Sequence, residues 1–148
     1  MIQGRSSVEI ARPVTTVYDF VVVHFFENYP RWSPQVRELE PLNGERIALG
    51  TRGRQVRVDR GRRSETTFEV TRLEPESAVD FDGNQQARFA IRYRLEPTAD
   101  NGCWLQVEFE LKELTWLMRP FERLIRRAIR EGTQETADNI KALVEQER

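Results

Sequence analysis

The feature that most constrains this chain is its last third, where an alternating segment runs into one long amphipathic helix. Leu105, Val107, Phe109 and Leu111 alternate with Gln106, Glu108, Glu110 and Lys112, the period of a strand with one dry face. Phe121, Leu124, Ile125, Ala128, Gly132, Thr136, Ile140 and Leu143 then recur at helical spacing, and Arg119, Arg123, Arg126, Arg127 and Arg130 fall on the opposite side. Proline deep in a helix would cost ~3 kcal/mol, so Pro120 places the helix start near Arg119, with 114–118 as a lead-in turn. At ~1.5 Å per residue such a helix runs roughly 42 Å. That exceeds one strand, so a sheet that covers it must curl around it.

The upstream sequence reads as one strand, two short helices and a series of hairpins. Gly4, Ser6, Val8 and Ile10 alternate with Arg5, Ser7 and Glu9, and Arg12-Pro13 ends that strand. Val14, Val17, Tyr18 and Val21 repeat at three and four, which predicts a helix over 13–23. A second, over 25–29, is expected to stop at Tyr29-Pro30, because the residue before proline is pushed out of the α region. From 35 to 112, Asn43-Gly44, Gly50, Gly61, Pro75, Gly83-Asn84 and Asn101-Gly102 punctuate about six strands. The clearest are 64–73, with Thr66, Phe68 and Val70 on one side, and 87–96, with Phe89, Ile91, Tyr93 and Leu95 opposite Arg88, Arg92 and Arg94. Short connections without helices imply an antiparallel meander that is apolar on one face.

A chain of 148 residues fits one domain, 1–148, with a core of ordinary size. A charged fraction of 32% at a formal net charge of −1 argues against a dedicated nucleic-acid binder, so no DNA partner is expected. Cys103 is the one cysteine and His24 the one histidine, and no carboxylates have a loop-type ligand spacing. Neither a metal nor a cofactor is expected. The first residues run directly into the alternating segment without an apolar leader, and the apolar cluster at 20–26 is too short to span a bilayer. A cytoplasmic setting follows as the expectation. The absence of a Ser-His-Asp order, nucleophile elbow, P-loop or dinucleotide fingerprint removes acyl transfer and nucleotide chemistry as first readings.

Several local segments occur in a telling order: Pro-Val-x-x-Val-Tyr-Asp-Phe over 13–20 and Tyr-Pro-Arg-Trp-Ser-Pro over 29–34. Phe-Glu-Val at 68–70 with Leu-Glu-Pro at 73–75, and Tyr-Arg-Leu-Glu-Pro at 93–97, complete the set. In this order the chain resembles the helix-grip (SRPBCC) fold of the START/birch-pollen-allergen superfamily, and within it the polyketide cyclase/dehydrase and lipid-transport family. The resemblance implies an α+β fold: a curved antiparallel sheet of about seven strands around a long C-terminal helix, with two short helices after the first strand. It also implies a cavity between sheet and helix for an apolar or aromatic small molecule. The superfamily hosts cyclases, hydrolases, lipid carriers and binding proteins, so fold does not settle activity.

The expected concave face carries Phe68, Phe81, Phe89, Ile91, Tyr93, Leu105, Val107 and Phe109, with few polar groups among them. Trp32, Phe121, Ile125, Gly132 and Thr136 complete the candidate ligand-binding set. Glycine inside a helix costs about 0.5–1 kcal/mol, so Gly132 with Thr136 marks either close packing, a kink, or volume left for a ligand. The buried Tyr93 hydroxyl needs a partner, which a ligand oxygen, the backbone or water could supply. His24 is the one group that titrates near neutral pH unperturbed, and it is placed near the cavity mouth. Arg54 shares parity with Val56 and Val58, which would aim it inward unless the strand bulges or that position is solvated.

Three functional readings follow. The first is a protein that binds a hydrophobic small molecule, as a monomer or homodimer. The second is a cyclase or dehydratase using Tyr93, with His24 or Arg54. The third is a lipid or quinone chaperone at a membrane, or a ribosome-associated factor, suggested by the arginines at 52, 54, 57, 60, 62 and 63 and on the last helix.

Overall fold

The computed structural model describes residues 2–84 and 88–147. The first strand, β1 (Ile2–Ile10), buries Ile2, Gly4, Ser6 and Ile10, half-buries Val8 and exposes Gln3, Arg5, Ser7 and Glu9, as its alternation requires. Pro13 then starts α1 (Val14–Tyr18), which widens into a π-helical turn (Asp19–Val23) before α2 (Phe25–Trp32). Six strands follow: β2 (Val36–Pro41), β3 (Arg52–Asp59), β4 (Arg62–Glu74), β5 (Ala78–Asn84), β6 (Arg88–Pro97) and β7 (Cys103–Leu111). Position 87, the expected start of the sixth strand, lies outside the described residues. A 3-10 turn (Arg119–Phe121) leads into α3 (Glu122–Gln146). The helix-grip architecture inferred from the sequence is the one observed.

All neighbours in the sheet are antiparallel, in the order β1-β7-β6-β5-β4-β3-β2. Five consecutive hairpins make the meander, and β1 closes onto the last strand. Arg60 and Gly61, at φ 52° and 81°, form the two-residue turn between β3 and β4, which fixes Asp59 opposite Arg62. Register shifts between Val36 and Glu38 and between Val70 and Arg72 bend the sheet. The concave face so formed carries Phe68, Val70, Phe81, Tyr93, Leu95, Leu105 and Val107 as core.

The convex face is held by charge instead. Arg92 reaches Glu108 at 2.9 Å and Glu110 at 3.1 Å, Gln3 donates to Glu110 at 3.0 Å, and Arg94 pairs with Asp80. Ala90, which shares this face with Arg88 and Arg92 two residues to either side, is fully buried.

Four expectations are corrected. The helix over 13–23 is an α-helical turn followed by a π turn, and Phe20, Val21 and Val22 are all buried along it. The second helix does not stop at Tyr29-Pro30 but continues to Trp32. Pro30 removes one hydrogen bond from a helix that ends two residues later, while Tyr29 and Trp32 dock into an aromatic cluster with Phe25. On β3 the inward residues are Gly53, Gln55 and Arg57, opposite Phe68, Thr66 and Ser64, so Arg54, Val56 and Val58 face outward. Arg54 pairs there with Glu65, Glu40 and Glu38.

The fourth correction concerns α3. Its buried stripe is Thr133, Ala137, Ile140 and Val144, extended by the partly buried Ile125 and Ile129; Phe121, Leu124, Ala128 and Gly132 are exposed. The stripe is phased by β1. A Cβ on Gly4 would stand 2.6 Å from Ile129 Cγ2 and 3.1 Å from its backbone, and the Ser6 and Thr133 hydroxyls meet at 3.1 Å. Small residues on the strand let the helix backbone settle there.

Two measurements check this account. Gly4→Val should push α3 off β1 and cost about 1–3 kcal/mol in urea unfolding, an overpacking penalty. Hydrogen bonds from Gln3 and Arg92 hold the Glu110 carboxyl below the usual carboxylate range. Its stabilisation is therefore full above that range and lost as pH falls through the lower folded value. Glu110→Gln should accordingly destabilise the protein at pH 7 and flatten the fall in urea midpoint between pH 6 and pH 3.

Candidate functional site

The exposed first half of α3 stands over the concave face without filling it, and a cavity of about 620 Å³ lies between them. Its floor and walls are largely aromatic because each of β4 to β7 turns at least one aromatic ring inward. Phe68, Phe81, Phe89, Ile91, Tyr93, Val107 and Phe109 line it, joined by Phe25, Tyr29 and Trp32 from α2. Phe25 stacks on Phe81 at 4.6 Å, and Phe89 stacks on Phe109 at 5.6 Å. The Phe68 and Phe89 rings lie across Gly53 and Gly83 of the neighbouring strands, where any Cβ would stand within 2.3 Å of the ring. Those two glycines let the rings lie flat against the sheet and keep the cavity open.

From α3 come Ile125, Ala128, Ile129, Gly132, Thr133 and Thr136. A Cβ on Gly132 would meet nothing within 4 Å, so the close-packing reading of that glycine does not hold. Of the candidate ligand-binding residues, Leu105 and Phe121 are absent from the lining. Leu105 is fully buried in the core behind it, and Phe121 turns to solvent.

The expectation of a cavity poor in polar groups is overturned. Arg57, inward on β3, donates to the Tyr29 hydroxyl and to Ser33 Oγ, each at 3.1 Å. It also grips Asp59 through two bonds of 3.2 and 3.1 Å. The Tyr29 hydroxyl donates in turn to Gln55 Oε1 at 2.8 Å. Burial works against the Arg57 charge, but Tyr29 and Asp59 outweigh it and raise its pKa. At the rim stand Arg60, Glu131 and Glu135. Charge therefore gathers at one end and along the mouth of an otherwise aromatic space.

Of the three catalytic candidates only Tyr93 lines the cavity. His24 is exposed beside α2, 3.3 Å from Glu27, and Arg54 is on the convex face. Burial raises the Tyr29 and Tyr93 pKa values, Tyr93 strongly, so both phenols stay protonated and serve as hydrogen-bond donors rather than bases. Burial also pushes the Cys103 thiol up to about 11, which makes it inert as a nucleophile. Among the described residues no three His, Cys, Asp or Glu side chains gather as metal ligands, and no helix is long and apolar enough to cross a membrane.

The family model described as "Polyketide cyclase / dehydrase and lipid transport" matches residues 1–145. No curated protein sequence matches the chain. Among solved structures, a START superfamily protein from Mycobacterium smegmatis is 19% identical over 97% of each chain, at a TM-score of 0.74. The protein TTHA0849 from Thermus thermophilus is 17% identical over 96% of each, at 0.72. Ara h 8.0201 is 18% identical over 96% of each, at 0.68. At such identities the likeness is one of fold.

Proposed function

The chain belongs to the polyketide cyclase / dehydrase and lipid transport family, and we propose that it binds a hydrophobic or aromatic small molecule, lipid- or polyketide-like, between the sheet and α3. Family and fold point to a START/Bet v1-like hydrophobic-ligand-binding domain. The observation that carries the reading is the aromatic cavity of about 620 Å³ roofed by Gly132. That volume is in the range of small-molecule sites, and an aromatic lining with a hydrogen-bonded polar cluster is how such sites combine fit with orientation. Binding is favoured over cyclase chemistry because the cavity lining holds neither histidine nor thiol, and both of its tyrosines are kept protonated.

A second reading, a carrier that docks on membranes, draws on a specific surface. Trp116, Leu117, Phe121 and Leu124 are 57–76% exposed around the start of α3, beside Arg119, Arg123, Arg126, Arg127 and Arg130. An apolar patch rimmed by arginines suits an anionic bilayer.

Gly132→Leu tests the first reading. It should raise helix stability by up to about 1 kcal/mol, since Leu replaces an exposed helical glycine. It should also weaken binding of 1-anilinonaphthalene-8-sulfonate at least about tenfold by filling the cavity, a difference of ~1.4 kcal/mol. Unchanged affinity would contradict the assignment. For the second reading, wild type should cosediment with phosphatidylglycerol vesicles at low salt and be released at high salt or by Trp116→Ser with Phe121→Ser. Binding to phosphatidylcholine vesicles alone, indifferent to salt, would count against it.

A further inference from the structure

At the inner end of the cavity one polar atom is unanswered. Trp32 Nε1 is the one fully buried side-chain nitrogen or oxygen without a hydrogen-bond partner among the described residues. Trp32 and Tyr93 are each 1% exposed, their rings meet edge-on at 6.3 Å, and both line the cavity. The indole N–H is near enough to the Tyr93 hydroxyl to ease its ionisation, yet forms no hydrogen bond with it. An indole can only donate. The Tyr93 hydroxyl has a hydrogen to donate as well, so two donors line the same cavity.

The neighbours do not take that hydrogen. The Tyr29 hydroxyl accepts from Arg57 and donates to Gln55, and no hydrogen bond joins it to Tyr93. Asp59, the carboxylate of this cluster, is held by two bonds from Arg57. Gln55 Oε1 already accepts from Tyr29. The unpaired buried group at this end is a donor, the Trp32 N–H. A buried donor left unpaired is costly, so a molecule that fits here gains most by presenting an acceptor.

Resting on the ligand-binding reading above, we propose that Tyr93, backed by the Trp32 indole, is a donor station that selects aromatic or polycyclic ligands carrying a carbonyl oxygen. A ketone or quinone oxygen seated on the Tyr93 hydroxyl draws that hydroxyl into one orientation. The Trp32 N–H, a second donor lining the same cavity, finds its acceptor in the same ligand oxygen, whose two lone pairs can take both bonds. Two donors are satisfied by one ligand atom, and a hydrocarbon of the same shape leaves both unmet.

The test uses two probes that differ at that atom, 2-acetylnaphthalene and 2-ethylnaphthalene, titrated calorimetrically into the full chain. Wild type should prefer the ketone by roughly five- to tenfold, the worth of about one buried hydrogen bond. Tyr93→Phe, which removes one oxygen and no carbon, should bring the preference for the ketone below about twofold. Equal affinity of wild type for the two probes would overturn the donor station and leave the ligand-binding reading standing. A ketone preference that survives Tyr93→Phe would also overturn it. Binding of neither probe would remove both.

Discussion

The close approach of α3 to β1 is the contact on which the rest of the molecule depends. Gly4 and Ser6 leave room for Ile129 and Thr133, which sets the rotation of the helix about its own axis. Once that rotation is set, Ala137, Ile140 and Val144 turn into the core, and Ile125, Gly132 and Thr136 turn toward the sheet's open concavity. Polar ties hold the same end: Asn139 donates to the Trp32 carbonyl at 3.0 Å, and the Ala11 N–H donates to Glu145 at 2.9 Å. The helix is thus fastened along one edge strand and one end. The space beneath its other flank follows from that fastening rather than from any residue that lines it.

Element order and the apolar face of the later strands are legible in the sequence because one face is wet and the other dry, and alternation records it. The face of β3 is misread from sequence for a physical reason. Two valines share the outward side of that strand, and hydrophobicity alone assigns them inward. The register holds the correction, since the two-residue turn at Arg60-Gly61 places Gly53 opposite Phe68, whose inward parity is plain from its own strand. Carrying parity across the hairpin turns Gln55 and Arg57 inward with it. The phase of α3 is harder to read, because Ala, Gly and Thr fill both flanks of the stripe. Small residues on a partner strand decide which flank is buried.

The cavity brings together two kinds of residue that differ in how far sequence reveals them. Its aromatic lining is legible, since Phe68, Phe81, Phe89, Ile91, Tyr93, Val107 and Phe109 all come from alternating strands. Its polar end is not, because Tyr29, Ser33, Gln55, Arg57 and Asp59 come from α2 and β3, far apart in sequence and joined only by the fold. Arginine is common throughout the chain, and composition cannot distinguish Arg57 from its neighbours. On the convex face, Arg92 sits among the carboxylates of Glu108 and Glu110. Inside the cavity, Arg57 orients a tyrosine toward a glutamine. The same side chain joins ion pairs on the sheet in one place and organises a polar cluster in the other.

The uneven fastening of α3 has a kinetic side. A helix segment opens locally at a cost set by what it buries, and segments that bury little open at a fraction of the global unfolding free energy. From Glu122 to Gly132 no side chain of α3 is fully buried, whereas Thr133, Ala137, Ile140 and Val144 are. Amide exchange along this one helix should therefore fall into two rate classes divided near Gly132. By that measure the first half of the helix, the part over the cavity, opens at lower cost than the second while every strand of the sheet stays paired.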